Sequence, residues 1–148
     1  MESFLGRQLA KTDKAVRAEF DARLAEVGGS LTNWIVLRSA GESTSQRELA
    51  DRMGVEGPTL VRHLDRLERE GLIERQGDPL DRRVTRIVVT AAGQQMLRRL
   101  AAVAAEMDRK VRSALGDGEY TGLMASLQRL HSYAARLAEE RKGHAAAH

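Results

Sequence analysis

Most of the chain carries apolar residues at the three- and four-residue spacing of one helix face. This spacing predicts a first helix that begins near Leu5 and ends at Gly28-Gly29. A second helix, short and strongly apolar, is predicted over Leu31–Leu37. Two longer apolar series predict the last helices, one capped by Thr90 and the other following Gly116. The pattern therefore predicts a mainly helical chain.

Two shorter helices are predicted between residues 45 and 71. Ser45, followed three residues later by Glu48, has the pattern of a capping box, in which the serine hydroxyl and the glutamate carboxylate each accept from a backbone amide. Gly54 ends this helix after about two turns. Gly57-Pro58 opens the next helix, because proline in the first turn loses no hydrogen bond.

Two strand-like segments follow Gly71. Residues 72–76 and 84–89 are joined by the turn formers Gly77-Asp78-Pro79-Leu80-Asp81, so they are predicted to pair as a hairpin. A short helix, a tight turn, a longer helix and a two-stranded ribbon predict a winged helix-turn-helix, mainly α with a small β-hairpin wing. We expect residues 31–90 to form this winged unit, residues 1–30 and 91–142 to form a helical dimerisation region, and residues 143–148 to be a flexible tail.

The composition is typical of a globular protein of one domain, with 148 residues, 42% hydrophobic and 30% charged. No segment is apolar enough to span a membrane and no signal peptide is evident, so a cytoplasmic location is expected. The absence of cysteine excludes disulfides and thiolate metal sites. A formal net charge of +3 is too small to identify a polyanionic partner, so the positions of the cations matter more.

The helix that Pro58 opens has one apolar and one polar face. Its inward stripe consists of Leu60, Val61, Leu64 and Leu67, and its outward face carries Thr59, Arg62, His63 and Arg66. An arginine can donate two parallel hydrogen bonds to guanine, and a threonine methyl group can contact thymine, so this face suits a DNA major groove. A solvated helix face is the alternative explanation of the same residues.

Arg82 and Arg83 stand at the tip of the predicted hairpin, directly after Asp81. A guanidinium group in this position can enter an AT-rich minor groove, drawn by its negative potential. Asp65 and Asp81 are predicted to orient the wing, and an ion pair between Asp65 and Arg83 would fix the wing against the helix. A purely structural salt bridge would use the same residues.

Three segments resemble the MarR family, most closely its SlyA-like branch. They are Gly54–Arg62, Gly71–Gln76 and Asp81–Arg83, and similar residues at matching spacing extend back to Leu5. The last third of the chain is similar in helical pattern only. The resemblance implies a triangular dimer in which the first helix and the last two helices intertwine, while two DNA-binding heads face successive major grooves. It also implies a transcription regulator, most often a repressor.

The resemblance implies roles for individual residues as well. Pro58, Thr59 and Arg62 would meet the major groove, Arg82 would enter the minor groove, and Ser45, Arg75 and Arg83 would touch or support the DNA backbone. The full set predicted to bind DNA is Ser45, Gln46, Gly57, Pro58, Thr59, Arg62, His63, Arg66, Arg75, Arg82 and Arg83. A two-fold dimer would bind a pseudopalindromic site with half-sites about 10 base pairs apart.

Members of that family often bind small aromatic carboxylates or other anions between the DNA-binding head and the dimer helices. Carried onto this chain, such a pocket would consist of Lys11, Lys14, Arg17, Thr32, Trp34, Arg38, Arg62 and His63. The cations of the first helix recur every three residues and share one face, while Trp34 offers an apolar wall. Solvated cations and a core tryptophan are the commoner explanation of such residues.

Other classes of function find little support in the sequence. Of His63, His131, His144 and His148, only the last two have metal-ligand spacing, and they lie in the predicted tail, so neither a metal nor a cofactor is expected. His131 is expected to be a satisfied interface histidine, and a histidine that titrates and couples dimer packing to pH is the alternative. No phosphate loop, nucleophile elbow or acid–base pair indicates an enzyme. The main alternative is a winged-helix module that binds a protein partner and no DNA, since the fold alone does not confer DNA binding.

Overall fold

The protein is described here by a computed structural model that covers residues 4–146. Its elements in chain order are α1 (Leu5–Glu26), α2 (Leu31–Ala40), β1 (Ser43–Ser45), α3 (Gln46–Met53), α4 (Gly57–Arg69), β2 (Ile73–Gly77), β3 (Thr85–Val89), α5 (Ala91–Leu115) and α6 (Asp117–Ala146). The predicted fold class, mainly α with a small antiparallel wing, is confirmed. No helix among these residues is both long and apolar enough to cross a membrane.

The caps that the sequence predicts are formed. The Ser45 hydroxyl accepts from the Glu48 amide at 3.2 Å, and a Glu48 carboxylate oxygen accepts from the Ser45 amide at 3.4 Å. Gly54 ends α3 in the left-handed conformation, with φ of 63°. The Thr90 hydroxyl accepts from the Gly93 amide at 3.0 Å and so caps α5.

The sheet has three strands in the order β1-β3-β2, all antiparallel. The predicted hairpin pairs Ile73 with Val89 at its base and Gly77 with Thr85 near its tip. The sequence predicts no strand at β1, because Ser43-Thr44-Ser45 shows no apolar alternation. The strand forms because the outer edge of β3 is free to pair, and the pairing buries Thr44 opposite Ile87.

The core lies between the helices and the sheet. Leu24, Leu37, Leu49, Leu60, Leu64, Leu67, Ile73, Ile87 and Leu100 are fully or almost fully buried in it. Gly93 lets α5 approach the start of the wing, because a Cβ atom at this position would lie 2.1 Å from the carbonyl oxygen of Leu72. Of the inward stripe predicted for α4, Leu60, Leu64 and Leu67 are buried, while Val61 is half-buried at its edge.

The chain divides into two compact units, Met1–Ala105 and Glu106–His148. The boundary between the two units falls within α5. The sequence predicts a different boundary, after residue 90, between the winged unit and the dimerisation region. That functional division stays a prediction. In the second unit the Tyr120 hydroxyl donates to Asp108, and the Arg112 guanidinium lies 4.3 Å from the centre of the Tyr120 ring. The hydrogen bond to Asp108 raises the pKa of the Tyr120 phenol.

The end of α6 differs from its sequence prediction. A tail was expected from residue 143, but α6 continues through Ala146. Its helical pattern runs on because alanines follow Gly143, and alanine has the highest intrinsic helix propensity. Residues 147 and 148, also assigned to the tail, lie outside the described residues.

Candidate nucleic-acid interface

The exposed face of α4 has the composition that the sequence predicted. Gly57, Pro58, Thr59 and Arg62 are exposed, and His63 is half-buried. Pro58 occupies the first turn, where its missing N–H leaves no carbonyl unpaired. Within residues 4–146, Arg62 makes no hydrogen bond or ion pair, so its five N–H donors remain available to an external acceptor.

Arg66 is placed differently from Arg62. Its Nη2 atom donates to the Ser30 hydroxyl at 2.9 Å and to Asn33 Oδ1 at 3.1 Å. Its Nε atom lies 3.4 Å from a Glu70 carboxylate oxygen. Asn33 is buried and donates from Nδ2 to Glu70 at 3.2 Å, which closes the network. The predicted role of Arg66 as a DNA contact stays a prediction that this geometry disfavours, because the guanidinium ties α4 to the start of α2.

Arg75 is also engaged inside the protein. Its Nη2 atom lies 2.5 Å from Asp65 Oδ1 and 2.6 Å from Glu68 Oε2, and its backbone amide donates to Glu68 Oε1 at 3.1 Å. Hydrogen bonds from Arg75 hold the pKa of the Glu68 carboxyl below its usual value, and the two carboxylates raise the pKa of Arg75. Arg75 therefore ties β2 of the wing to α4. The resemblance implied that Arg75 either touches or supports the DNA backbone, and these contacts favour the supporting role.

The predicted ion pair between Asp65 and Arg83 is wrong. Asp65 pairs with Arg75, and Arg83 pairs with Asp81, whose Oδ1 atom lies 3.1 Å from Arg83 Nε. The reason is local geometry, since Asp81 also accepts from the Arg83 backbone amide at 3.0 Å and so meets its neighbour without a long reach. Asp65 still anchors the wing to α4, but it does so through Arg75.

The wing tip is held by hydrogen bonds of its own. The Asp78 amide donates to the Val84 carbonyl at 3.0 Å, and the Asp78 carboxylate accepts from the Leu80 amide at 2.8 Å. Arg86 lies 3.3 Å from the same carboxylate. The Leu80 amide, followed by the Arg86 guanidinium, lowers the pKa of Asp78. The Arg82 side chain is exposed and has no hydrogen bond or ion pair within the described range.

Sequence reasoning missed two residues that shape this surface. Arg86 donates to the Ser43 hydroxyl at 3.2 Å as well as to Asp78, and so joins β1, β3 and the tip. The Thr44 hydroxyl donates to Glu48 at 3.1 Å and is the main cause of the lowered pKa of that carboxyl. A strand prediction for β1 would have revealed both, but three polar residues carry no such signal.

A cleft lies between α3, the beginning of α4 and the wing. It brings together several residues that were predicted separately, namely Ser45, Gln46, Gly57, Asp81 and Arg83. The capping serine and the first turn of α4 border this cleft together with Arg83, whose guanidinium pairs with Asp81. The N-terminus of a helix and a guanidinium group are both able to bind phosphate oxygens.

The predicted ligand residues fall into three groups, of which Arg62 and His63 on α4 are described above. Lys11, Lys14 and Arg17 are exposed on α1, and Arg17 pairs with Asp13 at 2.7 Å. Thr32, Trp34 and Arg38 lie on α2, where the Arg38 guanidinium is 5.2 Å from the centre of the Trp34 ring and Phe20 meets Trp34 edge-on. No hydrogen bond, ion pair or ring contact joins the groups within residues 4–146, so the pocket stays a prediction.

Within residues 4–146, the histidines lie on different elements or on different parts of α6. His144 lies 2.8 Å from the Glu140 carbonyl oxygen through Nδ1, and His131 borders a shallow groove with Met124 and Leu127 on α6. In the part of the chain that the structure describes, no three histidine or carboxylate side chains cluster as metal ligands. His148, the other tail histidine, lies outside the described residues.

A helix-turn-helix formed by α3 and α4 and followed by the β2–β3 hairpin defines a winged helix-turn-helix protein. Residues 30–85 match the model of the MarR family. The chain belongs to the MarR family of transcriptional regulators.

Solved structures agree with this assignment. The chain is 38% identical to the transcriptional regulator PA3341, with a TM-score of 0.75 over 90% of this chain and 99% of that one. It is 22% identical to S. aureus MepR in complex with DNA, with a TM-score of 0.81 over 89% of this chain and 99% of that one. A MarR mutant from E. coli in complex with operator DNA is 22% identical, with a TM-score of 0.79 over 85% of this chain and 92% of that one. The last two show a shared fold.

Proposed function

We propose that the chain is a homodimeric repressor that binds a pseudopalindromic site in double-stranded DNA, acts in the cytoplasm and belongs to the SlyA-like branch. One observation carries this proposal. Arg62 on α4 and Arg82 at the wing tip are both exposed, and neither has an internal partner within residues 4–146. Unpaired guanidinium groups on a helix and on a projecting ribbon suit a major groove and a minor groove, respectively.

The internal ion pairs support the same proposal. Arg66, Arg75 and Arg83 are tied to carboxylates, whereas Arg62 and Arg82 are not. The tied arginines hold α4 and the wing in place, and the unpaired ones face outward. Two solved proteins of the same fold, MepR and MarR, are seen in complex with DNA, which supports DNA as the partner.

The direct test is a gel shift on the region upstream of the gene itself, followed by selection from a random duplex pool. We expect binding that weakens steeply with salt, and a shallower salt dependence for Arg82→Ala, because one cation near the phosphates is lost. Arg141→Ala, which removes an exposed arginine from α6, is the matched control and should leave the slope unchanged. A wild-type protein that binds no duplex would favour a protein-binding winged helix instead.

The proposed homodimer rests on apolar side chains that α6 leaves exposed. Leu123, Leu127, Tyr133 and Leu137 are between 39% and 54% exposed in the protomer. A row of large apolar residues on a helix is costly in water and is covered in stable dimers. Light scattering at micromolar concentration should give the mass of two chains, and Leu127→Glu should shift the protein towards the monomer. A monomeric wild type would contradict the dimer.

We further propose that a small aromatic carboxylate, or another small anion, releases the protein from DNA. The support is the exposed cation row on α1 and the half-buried Trp34 on α2. A ligand that binds the free protein more tightly than the DNA complex weakens DNA binding by linkage.

A further inference from the structure

Leu80 is the most exposed large hydrophobic residue that the structure describes, with 98% of its surface accessible, compared with 78% for Phe4. It stands at the wing tip, two residues before Arg82. A single exposed leucine is common on protein surfaces. This one stands at the end of a projecting ribbon, where it can pack against an apolar surface that the ribbon meets.

The backbone at Leu80 is fixed. Its amide donates to the Asp78 carboxylate at 2.8 Å, and the same carboxylate accepts from the Asp81 amide at 3.3 Å. The tip is closed on its other side by the Val84 amide, which donates to the Asp81 carbonyl at 3.0 Å. The leucine side chain is therefore presented outward by a hydrogen-bonded turn.

The charges around Leu80 leave one cation free. Asp78 pairs with Arg86, and Asp81 pairs with Arg83. Both aspartates have a lowered pKa because they accept these bonds and backbone amides, so they are ionised and neutralise their partners. The tip thus presents an unpaired guanidinium, Arg82, beside an apolar side chain, Leu80.

A DNA minor groove matches this pair chemically. Its negative potential attracts a guanidinium group, and its walls are the C–H surfaces of the deoxyribose rings. Proteins that bind the minor groove also place apolar side chains in it, leucine among them. We infer that Leu80 is a second DNA-contacting residue of the wing, which packs against the sugar wall of the minor groove that Arg82 enters. This inference rests on the proposed function.

The two residues predict different signatures in binding. Arg82 contributes through counterion release, so its loss changes the slope of affinity against salt. Leu80 contributes through apolar surface removed from water, which does not depend on counterions. Burial of part of a leucine side chain gives about a fivefold gain in affinity.

The experiment compares wild type, Leu80→Ala, Leu80→Met and Arg82→Ala on one duplex selected by the wild-type protein. We expect Leu80→Ala to bind about fivefold more weakly with an unchanged salt slope, and Leu80→Met to bind like wild type. The melting temperature of free Leu80→Ala should equal that of wild type, because the side chain is exposed.

Equal affinity of Leu80→Ala and wild type would overturn the inference and leave the proposed function intact. A loss accompanied by a changed salt slope or a lower melting temperature would overturn it too, because the tip itself would then have been disturbed. If the wild-type protein selects no duplex, the proposed function fails and the inference with it.

Discussion

Arg75 on β2 and Glu68 on α4 are joined by both side chain and backbone. The Arg75 guanidinium lies 2.6 Å from one carboxylate oxygen of Glu68, and the Arg75 amide donates to the other oxygen at 3.1 Å. One carboxylate therefore fixes the position of a strand relative to a helix, and the wing begins at that strand.

Glu68→Gln should lower the free energy of unfolding by about 1 kcal/mol, a modest loss because both side chains retain contact with water. The amide keeps the shape of the carboxylate but cannot accept two charge-assisted bonds. Thermal unfolding measures the effect. Glu74→Gln, which changes an exposed carboxylate on β2, is the matched control and should be nearly neutral. Equal destabilisation by both variants would show that the Arg75–Glu68 contact does not itself stabilise the fold.

The same contact predicts a pH dependence. The pKa of Glu68 is lowered from 4.5 in the folded protein, so its stabilising contribution is complete above about pH 4.5 and is lost as the pH falls through the lower folded value. The difference in free energy of unfolding between wild type and Glu68→Gln should therefore shrink on acidification below that pH. Denaturant unfolding across the acid range measures it, and a difference that grows on acidification would contradict the assignment.

Arg66 and Arg82 should respond differently to removal. Arg66→Ala leaves the buried Asn33 oxygen without one of its donors, so the variant should lose about 1–2 kcal/mol of stability. Because the guanidinium of Arg66 faces Ser30, Asn33 and Glu70, the salt slope of DNA binding should not change. A shallower slope for Arg66→Ala, similar to that of Arg82→Ala, would mean that Arg66 turns outward to the phosphates.

Gly93→Ala should destabilise the fold by about 2–4 kcal/mol, because the new methyl group meets the Leu72 carbonyl at 2.1 Å and α5 must move away from the wing. Gly77→Ala is the matched control, since a Cβ atom there meets nothing within 4 Å. Melting temperatures compare the two. Similar values for both variants would show that α5 adapts without cost.

Ligand binding can be observed at Trp34, because it is the single tryptophan of the chain. An aromatic carboxylate against this ring should change its fluorescence, and salicylate at millimolar concentration is a suitable probe. The change should weaken in Lys14→Ala, which removes an exposed cation of α1, and persist in Lys142→Ala, which removes one from α6. Trp34 fluorescence that does not change on addition of salicylate would exclude this site for that anion.

The helices and the hairpin were predictable because their signals are local. The capping pair Ser45 and Glu48, the turn at Gly54 and the spacing of Leu60, Leu64 and Leu67 each act within one or two helical turns. The exposed Arg62 followed from the same periodicity, and the exposed Arg82 from the turn formers at the tip of the predicted hairpin.

The sequence could not decide which charged and polar side chains pair with one another. Asp65 had several arginines within reach, and the packing of α4 against β2 brings Arg75 to it, while Arg83 pairs with its neighbour Asp81. The same holds for Arg66, whose partners Ser30 and Asn33 lie more than thirty positions away in the chain. Ion pairs between distant elements depend on packing that no local pattern records.

The strand β1 fixes the position of the wing relative to the helix-turn-helix. Ser45 ends this strand, pairs with Arg86 of the wing and caps α3. The ribbon and the helix-turn-helix therefore share one backbone junction and cannot slide apart. In the proposed function Arg62 and Arg82 meet two different grooves, and this junction would hold them at a fixed separation. One base pair inserted between the two contact points should therefore weaken binding in a gel shift.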